Sequence, residues 1–154
     1  MNHDHPAIDC RHLTHRYGGF TAVDDLTLQV AVGETLGLLG PNGAGKTTVV
    51  KLLTTLAPIQ SGEVRIFGLD AHRDTMDIRY NLGYVPQQVS SETLASIGLL
   101  DEPTVGLDPI ARDGVWSHVQ RMQLEFDMTV LLTTHYMEEA DVLTSGEVPA
   151  VVVE

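Results

Sequence analysis

Leu26-Thr-Leu28-Gln-Val30 alternates apolar and polar side chains, and that period of two predicts a half-buried strand stopped at Gly33. Thr35 to Leu39 breaks the alternation with a short apolar run, the pattern of a strand covered on both faces. Val49, Val50, Leu52, Leu53 and Leu56 then recur at helical spacing on one face. Upstream, residues 7–13 read as a short strand and Tyr17-Gly18-Gly19 as a turn. Downstream, Pro58 closes the helical region, Ser61-Gly62 turns the chain, Val64 to Phe67 forms a strand and residues 73–80 a short helix. Leu82 to Val85 and Ile97 to Leu100 read as strands. Asp108 is a good N-cap and Pro109 a good first residue for a helix with Ile110, Val115, Val119, Met122 and Phe126 along one face. Thr129 to Leu132 is a further strand, 136–143 a helix, and Val148 to Val152 a terminal strand despite Pro149. Strands alternating with helices indicate an α/β fold around a mostly parallel sheet, and the two early strands suggest a small antiparallel β addition at its side.

The 154 residues suffice for one domain with a real core. A net charge of −12 argues against direct nucleic-acid binding, since no basic stripe is available to neutralise phosphates. The single cysteine, Cys10, excludes an internal disulfide and suits a reducing compartment. The first six residues have neither the basic nor the apolar part of a signal peptide and read as a flexible tail. No apolar run reaches the length of a membrane span.

Gly40-Pro41-Asn42-Gly43-Ala44-Gly45-Lys46-Thr47 fits the phosphate-binding pattern G-x-x-x-x-G-K-[ST], and it stands between a strand and a helix, as that chemistry requires. Backbone N–H groups curl around the phosphates, the helix N-terminus adds partial positive charge, and Lys46 reaches the outer phosphates. Gly43 and Gly45 let the backbone approach without a Cβ in the way. Leu99-Leu100-Asp101-Glu102-Pro103 then delivers Asp101 to the end of a buried strand, where a carboxylate can hold Mg²⁺, directly or through water. Glu102, one residue on, is placed to accept a proton from attacking water.

With these motifs in this order, the chain resembles the nucleotide-binding domain of ATP-binding cassette (ABC) transporters, the multidrug-resistance exporters in particular. Arg16-Tyr17-Gly18 is similar to the A-loop, which implies that Tyr17 stacks on adenine. Gly40 to Thr47 is similar to Walker A, which implies ATP contacts extending to Thr48 and a Mg²⁺ ligand in Thr47. Tyr84-Val-Pro-Gln87 resembles the Q-loop, implying that Gln87 touches Mg²⁺ and the attacking water. Leu100 to Thr104 followed by Val105-Gly-Leu-Asp108 resembles Walker B plus D-loop, and Thr133-Thr-His135 resembles the H-loop, with His135 facing the γ-phosphate. Thr133 to Asp141 carries the likeness to the exporters. The resemblance implies ATP hydrolysis with Glu102, Gln87 and His135 as catalytic residues, and Thr47, Gln87 and Asp101 at the metal. It also implies a membrane permease as partner, a homodimer or a heterodimer with another such domain, and a cytoplasmic place on the inner face of the membrane.

The likeness covers about residues 8–87 and 97–141, and it lacks its middle. Only nine residues, 88–96, separate Gln87 from the Ile97 strand, where the family carries a helical subdomain with a Leu-Ser-Gly-Gly-Gln signature loop. Residues 1–154 therefore read as one internally shortened domain. Its rival readings are an ATP-binding module without turnover and a poorly folded deletion product. A guanine-specific enzyme is disfavoured by the lack of an Asn-Lys-x-Asp motif. Nine extended residues span about 30 Å, enough to link parallel neighbours without a covering helix, so one sheet face is expected to lie open.

Overall fold

The computed structural model describes residues 5–86, 97–136, 139 and 150–152. Gln87, the 88–96 connection and most of the expected 136–143 helix lie outside the described residues. In chain order the elements are β1 (Ile8–Tyr17), β2 (Phe20–Val30), β3 (Thr35–Leu39), α1 (Lys46–Leu53), β4 (Ser61–Ile66), β5 (Leu69–Asp70) and α2 (Thr75–Asn81). β6 (Leu82–Pro86), β7 (Ile97–Asp101), α3 (Pro109–Phe126), β8 (Thr129–Thr134) and β9 (Ala150–Val152) follow. A five-stranded sheet in the order β6-β7-β8-β3-β9 is parallel at every pairing. A four-stranded antiparallel sheet, β2-β1-β4-β5, is the β addition.

The central strands are buried on both faces, as parallel sheets require. Val49, Val50, Leu52 and Leu53 of α1 fill the space between the two sheets, against Leu36, Leu38, Ile97, Leu99 and Leu131. On the other face Trp116 and Val119 of α3 cover Leu100, Val130 and Leu132. The open sheet face expected from the short connection is therefore not seen over β7 and β8, because α3 closes it. Cys10 lies in the core, and burial pushes its thiol up to about 11. Among the described residues no helix is long and apolar enough to cross a membrane.

Several elements differ in extent from the sequence reading. β1 runs on to Tyr17 because register shifts along its pairing with β2 let it continue beyond the apolar stretch. Ser61 and Gly62 belong to β4 rather than to a turn. A Cβ on Gly62 would meet the carbonyl oxygens of Arg11 and His12 at 2.6 and 2.5 Å, so glycine permits close approach to the β1 backbone. α1 stops at Leu53: the Thr54 hydroxyl donates to Val50 O at 2.8 Å, Thr55 turns left-handed, and Leu56 is left exposed. α3 begins as expected, with Asp108 Oδ1 accepting from Ala111 N–H at 2.9 Å. Its inward face centres on Trp116 and Val119, while Ile110 and Phe126 are exposed. Tyr136 is not helical, and Glu139 is.

Candidate functional site

The glycine-rich loop is held at both ends. Gly40 N–H donates to Thr134 O across the sheet at 3.3 Å, and Ala44 N–H donates to Pro41 O at 3.2 Å. Gly43 and Gly45 both take φ of +88°, a left-handed conformation that a side chain would strain. The first i→i−4 bond of α1 runs from Val49 N–H to Gly45 O. The N–H groups of Lys46, Thr47 and Thr48 thus precede the helical ladder and lie at the positive end of the helix dipole. These residues, with Asn42 and Gly43, line an open cleft of about 360 Å³ whose other walls are Tyr17, Phe20, Ala22, Asp101 and Glu102.

Gly45 is the most constrained point of the loop. A Cβ there would sit 1.9 Å from Ala22 O, a backbone atom of β2 that cannot swing aside. Gly45→Ala is expected to destabilise the chain by at least about 2 kcal/mol, combining the left-handed penalty with the clash. The shift in denaturant midpoint measures it, and an unchanged midpoint would show that β2 does not clamp the loop.

Lys46 is almost fully buried, and its ammonium donates to Gly40 O at 2.7 Å and Pro41 O at 3.0 Å. It also lies 3.5 Å from Glu102 Oε1. The same Glu102 oxygen stands 3.2 Å from His135 Nδ1. Glu102 has a left-handed backbone, φ +47°, and its N–H is fixed by Thr133 O and Oγ1 at 3.1 and 3.0 Å. This uncommon conformation aims the carboxylate between Lys46 and His135. Asp101 accepts from Thr133 Oγ1 at 2.7 Å and from Thr47 Oγ1 at 3.1 Å. A hydroxyl beside a carboxylate is an oxygen donor pair that fits a hard cation such as Mg²⁺, which keeps several waters and needs few protein ligands. Among the described residues no cluster of three or more His, Cys, Asp or Glu forms a cage of its own.

Of the residues expected from sequence, Tyr17, Asn42, Gly43, Gly45, Lys46, Thr47, Thr48, Asp101 and Glu102 border one cleft. His135 reaches it through Glu102. Gly40 and Pro41 serve through their carbonyls, and Ala44 completes the loop. Gln87 lies outside the described residues. The sequence reading missed Phe20, which faces Tyr17 across the two-residue Gly18-Gly19 hairpin turn and presents a second exposed aromatic to the cleft. The hairpin spacing Tyr-Gly-Gly-Phe was the available signal. It also missed Thr133, and Tyr136, whose ring packs on that of His135 with centroids 4.1 Å apart and lies under the Arg112 guanidinium at 4.6 Å.

A family profile described as ABC transporter matches residues 23–151. The probable multidrug ABC transporter ATP-binding protein YbhF of Escherichia coli (strain K12) is 29% identical over 196 residues, covering 87% of this chain and 34% of that protein. The daunorubicin resistance ATP-binding protein DrrA2 of Streptomyces coeruleorubidus is 31% identical over 201 residues, covering 90% and 62%. This chain thus spans about a third to three-fifths of these relatives' length. Since 87% of 154 residues is about 134, the 196-residue alignment with YbhF holds roughly 60 positions with no counterpart in this chain. Among solved structures, the ADP conformation of MJ1267, an ATP-binding cassette of an ABC transporter, superposes with a TM-score of 0.81 at 14% identity, covering 96% of this chain and 87% of that one. CbiO1 from Clostridium perfringens, part of the cbiONQ complex, gives 0.76 at 18% identity, covering 86% and 80%. At such identities the likeness is one of fold.

Proposed function

The chain belongs to the ABC transporter ATP-binding family, and from that premise we propose that it is the ATP-hydrolysing subunit of an exporter, working against a membrane permease on the cytoplasmic face. The observation that carries this reading is convergence. Lys46 and Thr47 from one segment, Asp101 and Glu102 from a second, and His135 from a third meet within hydrogen-bond or ion-pair reach. In this reading residues 1–154 are one internally shortened nucleotide-binding domain, with residues 1–6 as a tail and 88–96 in place of the helical subdomain.

Tyr17 stacks on the adenine, with Phe20 beside it. The loop Gly40 to Thr48 holds the phosphates through backbone N–H groups, and Lys46 turns its ammonium from the loop carbonyls toward them. Thr47 and Asp101, with Gln87, would hold Mg²⁺, which would neutralise charge on the outer phosphates. Glu102 accepts the proton of the attacking water, and His135 orients Glu102 and faces the γ-phosphate. Rate gain comes from positioning and from charge stabilisation.

A second reading, an ATP-binding module without turnover, draws on the roughly 60 alignment positions that this chain lacks. In this family's arrangement the signature loop of one domain closes over ATP held by the other, and this chain has no such loop to give.

Tyr17→Ala tests ATP as the ligand. Base stacking is worth about 1–3 kcal/mol, so calorimetry should show ATP·Mg²⁺ affinity falling roughly 5- to 150-fold while inorganic tripolyphosphate is held as before. Equal losses for both ligands, or none for ATP, would count against an adenine site at Tyr17.

A further inference from the structure

We propose that Glu139 is a positioning residue that sets the Glu102–His135 pair, acting through two threonine hydroxyls; the inference rests on the ATPase reading above. Glu139 is only 4% exposed, and a buried carboxylate requires donors. Among the described residues it has two, one for each oxygen: the hydroxyl of Thr104 on Oε1 and that of Thr134 on Oε2. Both threonines are buried. Thr104 stands two residues after Glu102, and Thr134 immediately precedes His135. A single carboxylate therefore ties the turn that follows Glu102 to the end of β8 that leads into His135.

The consequence follows from counting protons. A hydroxyl has one hydrogen and two lone pairs. With its hydrogen given to Glu139, Thr134 Oγ1 can only accept from other groups, and it accepts the N–H of Tyr136 at 3.1 Å. Tyr136 in turn packs its ring on His135 beneath Arg112. On the other arm, Thr104 belongs to a turn closed by Val105 N–H on Glu102 O at 3.2 Å and Leu107 N–H on Thr104 O at 3.2 Å. Glu139 thus fixes both flanks of the 3.2 Å contact between His135 Nδ1 and Glu102 Oε1 through its bonds to Thr104 and Thr134.

The test uses the full chain with Glu139→Ala and Glu139→Gln. By NMR-detected hydrogen exchange, Glu139→Ala should speed exchange of the Tyr136 amide at least about 10-fold, while Leu131 in the middle of β8 stays within about 2-fold. The Kd for ATP·Mg²⁺ should stay within about 3-fold, because Lys46 and the glycine loop are untouched. Paired with a signature-bearing ABC domain, the Glu139→Ala chain should lose about 10²-fold in kcat with KM unchanged. Glu139→Gln, whose amide can still accept from one hydroxyl, should recover part of both effects. Unchanged exchange at Tyr136 overturns the proposal, as does equal acceleration at Tyr136 and Leu131, which marks a general stability role. If Glu139→Ala does not fold, Thr104→Val removes one donor at nearly constant shape. A kcat about 10-fold lower with KM unchanged then supports the clamp, and an unchanged kcat overturns it. Failure of wild type to bind ATP sinks the ATPase reading, and with it this role for Glu139, whereas normal binding with unmoved exchange and kcat sinks the clamp alone.

Discussion

Lys46→Ala is expected to lower the affinity for ATP·Mg²⁺ by about 10- to 100-fold, leaving a folded chain that scarcely binds nucleotide. Lys46 is the one cation among the described residues that line the cleft, which also carries Asp101 and Glu102. Removing it deletes charge-assisted hydrogen bonds worth about 1.5–3 kcal/mol. It also leaves Glu102 facing the phosphates without the ammonium that stands 3.5 Å away. The bonds from Lys46 to Gly40 O and Pro41 O contribute to the loop's own order, so a modest loss of stability should accompany the loss of binding. Calorimetry on the folded variant, checked by circular dichroism, separates the two effects. Equal affinity for wild type and variant would falsify the phosphate-loop assignment.

The second large effect concerns turnover. The chain by itself should hydrolyse ATP barely above background, since no copy supplies a signature loop to the γ-phosphate held by another. Loss of a single preorganised donor to developing charge costs about 10²–10³-fold, and the missing loop carries several. Mixing with a signature-bearing ABC domain whose own catalytic glutamate has been replaced should restore phosphate release, provided the two associate near the 104–108 turn. That activity must vanish with Glu102→Gln in this chain if, as proposed, the carboxylate between Lys46 and His135 takes the water's proton. Robust hydrolysis by this chain alone, sensitive to Glu102→Gln, would sink the claim that a lid from the partner is essential.

The glycine loop was legible in the sequence because its chemistry is local: spacing, left-handed glycines and a flanking strand and helix all lie within one short segment. Asp101 and Glu102 were legible for a similar reason, as the polar end of an otherwise apolar strand. The support behind them was not. Thr133, Tyr136 and Glu139 meet Asp101, Arg112 and Thr104, partners up to 35 positions away that nothing in the local sequence announces. Burial on α3 was misread because a stripe of apolar residues looked sufficient, whereas Trp116, one residue off that stripe, brings more surface to the sheet. The end of α1 was missed because Leu56 continues the apolar spacing, while Thr54 closes the helix by bonding back to its own backbone.

The strand order has a consequence in time. β3 carries the glycine loop, yet its partners in the sheet are β8 and β9, so the segment leading to the loop has no neighbour strand until about residue 130 has been made. Gly33 N–H waits for Thr129 Oγ1, 96 positions further on, and Gly40 N–H for Thr134 O. At a synthesis rate of about 5–20 residues per second, that is a delay of roughly 5–20 s on the ribosome. The antiparallel strands β1, β2, β4 and β5 have all their partners by Asp70 and can pair well before then. A nascent chain therefore carries its nucleotide loop for seconds before the sheet that supports it exists, and ATP can stabilise the domain only after residues 129–134 have emerged.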